Sequence, residues 1–347
     1  MRDSNKEILH RAQKVAKRIR NRVYACLYPG CQETAICSHS QWEKGPLLSI
    51  ARSSQVYAFE SSMVEAWKIR MKGMRQANII PMSISKASTF PGFCNAHDTS
   101  LFIPIETNEL HPYNLHQVWC FHLRAIAHVL SRKRFSVESL DETAIRYPNE
   151  SHQHAELVKN VSRLYNELEA ADEKLFLPMF KEGFENTLSY CWAVIPERLP
   201  VSNVSVFCPI PHSKQQEICA KSEQACYSEV SLSIIPSGSR TDVIMVWNLE
   251  ACPFMNQWIF EFMNANPKRF ERFLNRMVFN HSEDWCMNPD FWETLKPSLQ
   301  NRIRFAMCST GSAEETLSTL LVIRLSEHSL AHLQRIQYFS TFSQDGL

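Results

Sequence analysis

The feature that most constrains this chain is a pair of short motifs that each set two soft metal ligands at a backbone turn. Cys26 and Cys31 bracket Pro29-Gly30 in "CLYPGC", and Cys94 and His97 follow Pro91-Gly92 in "FPGFCNAHD". The first spacing lets two thiolates point at one ion from a tight knuckle. The second places a thiolate and an imidazole one turn apart, as at the start of a helix. Three sulfurs and one nitrogen make a tetrahedral set of the kind zinc prefers. The pattern predicts zinc held by Cys26, Cys31, Cys94 and His97 in a treble-clef-like module. Cys37 lies close enough to Cys31 to compete as a ligand, although the alternation in "AICSHS" also allows an inward-facing strand cysteine.

Glycine supports a special role for this end of the chain. There are eight glycines in 347 residues, against roughly 7% in an average protein. Gly30, Gly45, Gly73 and Gly92 all fall between the two ligand pairs or inside them. No Gly-rich strand-to-helix turn exists, which argues against P-loop and dinucleotide-binding folds. The formal net charge of +1 names no partner for the whole protein. No apolar run reaches the length of a membrane span, and the charged N-terminus lacks the apolar stretch of a secretory signal. Twelve cysteines spread along such a chain, Cys120, Cys191, Cys208 and Cys308 among apolar neighbours, read as reduced residues of a cytoplasmic protein.

Periodicity divides the chain into three segments. Residues 1–108 form the expected metal module, preceded by a basic helix over 4–22 with Ile8, Ala12, Val15 and Ile19 on one face. Lys6, Arg11, Lys14, Lys17, Arg18, Arg20 and Arg22 cover its other faces, and Lys68, Arg70, Lys72 and Arg75 form a second basic run. Such runs serve either as solvated faces or as phosphate contacts. Residues 109–195 read as helical, with an amphipathic helix in "NLHQVWCFHLRAIAHVL", a turn at "RYPNES" capped by Asn149 or Ser151, and a long helix over 151–187. Residues 196–347 switch to period two in "VSVFCPI", "EVSLSII" and "DVIMVWNL", the last two forming a hairpin around "PSGSR". Helices over 254–307, broken near "NHSEDW" and "KPS", precede the apolar run "TLLVIRL" and a polar tail. The fold class is α+β.

Two groups beside the ligand pairs are not needed to complete a zinc site: His39 and Asp98. With the knuckle, "AICSHS" and the Cys94–His97 pair, they make residues 22–106 resemble the HNH, or ββα-metal, nucleases that carry a structural zinc. That resemblance implies His39 as general base. Asp98 stands where the family has its last metal-binding histidine, and no middle asparagine is clear, Asn78 and Asn95 being the candidates. The same stretch resembles the ring-activated zinc-finger ribonucleases of bacterial anti-phage defence. This resemblance implies a toxic RNase, oligomeric and held inactive until a phage-encoded protein engages it.

Residue chemistry is compatible with such an activity. An imidazole titrating near neutrality can take a proton from water or from a ribose 2′-hydroxyl. Asp98 can orient that imidazole or hold Mg²⁺, and Lys86 can offset charge developing on phosphate oxygens. A further group, His111, His116, His122, Arg124 and His128 with His152 and His154, lacks the spacing of a known ribonuclease motif and reads as core and surface histidines. The alternative to an enzyme is a zinc-dependent nucleic-acid-binding or scaffold protein. His39 and Asp98, spare beside a complete ligand set, are the sequence feature that separates the two.

Overall fold

In the computed structural model the described residues are 10, 14–15, 17–19, 21–59, 77–146, 151–208, 229–248, 252–282, 284–307 and 322–338, with no side-chain description for 144, 146, 151–160 and 252–254. They form an α+β fold around an antiparallel sheet of eight strands, plus a two-stranded ribbon. The ribbon joins β1 (Cys37–His39) to β4 (Thr89–Pro91). The large sheet contains β2 (Gln55–Phe59), β3 (Ile79–Ser83), β5 (Ser189–Ile195), β6 (Val201–Phe207), β7 (Val230–Ser237), β8 (Arg240–Trp247), β9 (Trp285–Met287) and β10 (Gln334–Tyr338). Its spatial order is β10-β5-β8-β7-β6-β9-β2-β3. All three sequence segments therefore contribute strands to one sheet.

The central strands carry apolar side chains on both faces, because both faces are covered. Along β5, Cys191, Ala193 and Ile195 join one core while Tyr190 and Trp192 join the other. Along β8, Val243, Met245 and Trp247 divide from Ile244 and Val246 in the same way. The first face is closed by α4 (Cys252–Asn264) and α5 (Pro267–Asn280), with Met255, Phe262, Phe270, Phe273 and Met277 packed on the strands. The second is closed by α2 (Leu115–Arg146) through Phe121, Leu123 and Ile126, with α3 (Ser151–Ala171) packed beside α2. Cys26, Phe90, Phe93 and Cys94 belong to this second core, so the ligand-bearing segment rests on α2.

The hairpin at 236–240 and the strands around it form as their alternation predicts, β7 pairing β8 from Ser237–Arg240 to Val230–Trp247. Three elements differ from the sequence expectation. The helix expected over 151–187 is α-helical to Ala171, widens to a π-helical turn over Asp172–Phe176, and continues as 3₁₀ turns over Leu177–Phe180 and Phe184–Thr187 before β5 begins at Ser189. The helical stretch expected over 254–307 has a further break at Asn266-Pro267, where the Asn266 side chain caps α5, and the break expected near "NHSEDW" contains a strand, β9. The polar tail contains β10, an edge strand paired with β5. Of the run "TLLVIRL", the described Val322 and Ile323 are buried, with their N–H groups donating to Asn275 Oδ1.

At the N-terminal end, Val15 and Ile19 are buried, as a docked apolar stripe requires. Arg18 and Arg22 point at the acidic side of α2, pairing with Glu142 and Glu138. Lys6, Arg11, Arg20, the run Lys68, Arg70, Lys72 and Arg75, Asn149 and Cys308 lie outside the described residues, as do the side chains of His152 and His154.

Candidate metal centre

The knuckle is built by backbone pairing. Gly30 takes a left-handed φ of 78°, which turns the chain between Cys26 and Cys31. Cys26 N–H donates to Glu33 O at 2.8 Å and Leu27 N–H to Gly92 O at 2.9 Å, tying the knuckle to the β4 side. A Cβ on Gly92 would sit 2.7 Å from the Phe90 ring and 2.8 Å from Ser38 Oγ, so glycine lets the chain pass closely against the ribbon's own side chains. Cys94 then precedes α1 (Asn95–Glu106), and His97 lies on the first turn of that helix. A knuckle, a ribbon and a helix start thus converge.

The ligand atoms of Cys26, Cys31, Cys94 and His97 all lie within 4.8 Å of one another. His97 Nδ1 is 3.2 Å from Cys94 Sγ and 3.5 Å from Cys26 Sγ. Bonds of roughly 2.0–2.3 Å to a tetrahedral zinc separate its ligand atoms by roughly 3.3–3.8 Å. The donor set and its spacing therefore fit a metal such as zinc. Tyr28 stacks on the His97 ring with centroids 3.9 Å apart and planes 5° from parallel, which fixes the imidazole's orientation.

The thiols differ in their readiness to ionise. The His97 N–H first, then the Cys26 and Cys31 side chains and last the Ala96 N–H, hold the Cys94 thiol below its ordinary range. Burial pushes the Cys26 thiol up to about 11, even though the N–H groups of Cys94 and Tyr28 donate to its sulfur at 3.1 and 3.4 Å. A cation is the natural partner for a buried sulfur already surrounded by donors. Cys37 is not part of the group. It is exposed on β1, which corrects the inward-facing alternative considered for it.

The three expected catalytic residues are placed separately. His39 ends β1, half-buried opposite Thr89, with Nε2 3.2 Å from the carbonyl oxygen of Ile84. Lys86 is exposed in the turn between Ile84 and β4, so its backbone lies in the loop that the His39 ring touches. Asp98 sits on the first turn of α1, where its buried Oδ1 has no hydrogen-bond partner. None of the three is hydrogen-bonded or ion-paired to another of them.

The histidines of α2 have structural partners. His122 is fully buried with Nδ1 2.8 Å from Ser231 Oγ, and burial pulls its pKa down to about 4. His128 Nδ1 lies 3.4 Å from Asp284 Oδ2, which also accepts a hydrogen bond from Ser40 Oγ at 2.5 Å. This chain links the end of the ribbon to α2 and to the sheet. Sequence spacing does not reveal it, because Ser40, His128 and Asp284 come from three distant stretches. Comparison with protein-family models, curated proteins and solved structures finds no match for this chain. Among the described residues, no helix is long and apolar enough to cross a membrane.

Proposed function

We propose that this chain is a zinc-stabilised ribonuclease, with His39 as general base. The observation that carries the reading is the position of His39. It ends the ribbon strand whose partner, β4, leads into the helix bearing Cys94 and His97, and it stays outside the Cys26, Cys31, Cys94 and His97 group. Donation from Nε2–H to Ile84 O leaves the lone pair on Nδ1, the atom that would take a proton from a hydroxyl nucleophile. Zinc at Cys26, Cys31, Cys94 and His97 would supply folding free energy, not a step of the reaction. Lys86, exposed on the loop His39 touches, would offset charge on the phosphate. The unpartnered Oδ1 of Asp98 is the candidate ligand for Mg²⁺.

The wider setting is part of the same proposal and rests on the resemblance carried by residues 22–106. It is a toxic, oligomeric effector of anti-phage defence in the cytoplasm, switched on by a phage-encoded protein. One observation favours the second reading, a zinc-dependent nucleic-acid-binding or scaffold protein: Asp98 and Lys86 make no hydrogen bond or ion pair with His39.

RNA degradation by purified wild-type and His39→Ala protein, with zinc content measured alongside, separates these readings. Loss of a general base lowers the rate roughly 10²–10⁴-fold. Zinc and fold should remain. Unchanged cleavage would remove His39 from the mechanism, and no cleavage by the wild type under any trigger would leave the binding reading.

A further inference from the structure

The short helix Glu327–Ala331 precedes β10 and carries two histidines, His328 on its single turn and His332 at its C-cap. Its start is fixed by Ser326, whose hydroxyl accepts from the Ser329 N–H at 3.1 Å. The Ser326 N–H in turn donates to the Glu197 carboxylate, at 3.1 and 3.3 Å from its two oxygens. Residues four apart on a helix share one face. The two imidazole rings accordingly lie 4.3 Å apart centre to centre, with their planes tilted by 31°. Both residues are exposed. Two imidazoles therefore meet at the surface, where an ion from solution can reach them.

The hydrogen bonds set which nitrogens face that ion. His332 Nδ1 lies 2.9 Å from the backbone oxygen of His328, which also accepts the His332 N–H at 3.1 Å. A carbonyl oxygen only accepts, so the proton of the neutral His332 ring sits on Nδ1 and the lone pair on Nε2. Metal-binding histidines are held in this way, one ring nitrogen donating to a carbonyl while the other takes the ion. Among the described residues, neither ring nitrogen of His328 has a hydrogen-bond partner, so this ring also keeps a lone pair to give. An ion held by each imidazole at roughly 2.0–2.1 Å needs the two nitrogens roughly 3 Å apart. Rings 4.3 Å apart centre to centre admit that spacing. A helix C-cap needs the carbonyl contact, but not a second imidazole beside the first.

We propose that His328 and His332 form a second metal site, one that takes a divalent transition-metal ion. Imidazole nitrogen suits zinc, nickel and copper, whereas magnesium and calcium take oxygen ligands. Two protein ligands leave the other coordination positions to water or to a ligand from solution. The site is thus open where the group of Cys26, Cys31, Cys94 and His97 supplies four ligands of its own. A bound ion would also tie the helix to the residue that ends it, just before β10 begins at Gln334. The inference stands apart from the nuclease reading, because it uses no residue of the stretch 22–106 that carries that reading.

Calorimetric titration of the full chain with Ni²⁺, Zn²⁺ and Mg²⁺, its metal content measured beforehand, tests the site. Ni²⁺ and Zn²⁺ should each bind one equivalent more in the wild type than in His328→Gln or in His332→Gln, and Mg²⁺ should show no saturable binding. Both substitutions fall at exposed positions, so urea unfolding of the metal-free variants should match that of the wild type. His111→Gln, exposed on another stretch of the chain, should keep the additional equivalent. Uptake at the Cys26, Cys31, Cys94 and His97 group is common to all four proteins and cancels in the comparison, so a failure there cannot imitate a failure here. Equal numbers of equivalents in the wild type and in either histidine variant would overturn the assignment. So would loss of the additional equivalent in His111→Gln, or Mg²⁺ binding as tight as that of Ni²⁺.

Discussion

The two ends of α1 are held by different physics. At its start, Cys94 and His97 meet the knuckle through four donor atoms within 4.8 Å of one another. At its end, Ile105 is buried in the core beneath α2, and Glu106 pairs with the buried Arg124. The first end depends on a few strong contacts that an ion would complete. The second is secured by a large apolar core, in which no single contact dominates. A small donor cluster can be erased by one substitution, while a distributed core yields by increments.

The largest expected effect breaks the first end and spares the second. Cys94→Ala removes a thiol and the acceptor nearest His97 Nδ1. Zinc sites of this kind contribute roughly 10–16 kcal/mol of apparent binding free energy to folding. The variant should lose its metal, and amides of the knuckle, β1, β4 and the first turn of α1 should lose hydrogen-exchange protection. Strands β5 to β8 should keep theirs, because both of their faces remain covered. Full zinc occupancy in the variant would sink the ligand assignment. Equal loss of protection in the central strands would show that both ends form one cooperative unit.

The same contrast explains what could be read in the sequence. Cys26 with Cys31, and Cys94 with His97, reveal themselves because each pair sits on a local turn with fixed spacing. The β7–β8 hairpin was equally legible, since its alternation and the turn at Gly238 are local signals. A cleft of about 360 Å³ over β6, β7 and β8 was not legible. It collects Trp42, Phe121, Arg124, Arg240 and Asp242 from stretches far apart in the chain. Nor was β10 legible: "QRIQY" is polar enough to read as a tail, and its strand form depends on pairing with β5. Arg124 and His128 are legible only as members of a histidine-rich helix, and their partners Glu106 and Asp284 required the fold.

A smaller effect should appear when acid is applied. His122, against the sheet, is fully buried and neutral, with its pKa drawn from 6.5 to about 4 by burial. His281 is drawn to about 4 as well, by burial first and then by Arg276. In both cases the unfolded chain takes up the proton at a higher pH than the folded one. Their contribution is intact above about 6.5, and stability falls as the pH drops from there toward about 4. Each histidine should cost about 2 kcal/mol between roughly pH 7 and pH 5. Urea unfolding of wild type and His122→Gln, monitored by sheet circular dichroism, checks this. The variant should start less stable but lose about 2 kcal/mol less on acidification. Parallel slopes would mean that His122 titrates normally, and so is not held in a dry core.

The smallest expected effect concerns the surface that joins the N-terminal basic residues to α2. Arg22 reaches Glu138 at 3.0 Å and Glu142 at 3.4 Å, and Arg18 reaches Glu142 at 3.2 Å. Arg18 and Arg22 remain 55% and 42% exposed, so each pair should contribute about 1 kcal/mol or less. Their importance lies in what they deny to a ligand. An arginine occupied by carboxylates must leave them before it can neutralise a phosphate, whereas Lys14 and Lys17 on the same segment are exposed. If the chain binds RNA, Lys14→Ala with Lys17→Ala should therefore flatten the salt dependence of affinity by about 0.7 for each phosphate no longer neutralised. Arg18→Ala with Arg22→Ala should leave that slope nearly unchanged while lowering the melting temperature slightly. Binding titrations across a range of salt concentrations distinguish these outcomes. If the arginine variant flattened the slope as much as the lysine variant, the pairs to α2 would have to open on binding. The basic segment would then be a grip on nucleic acid, with Glu138 and Glu142 as its resting partners.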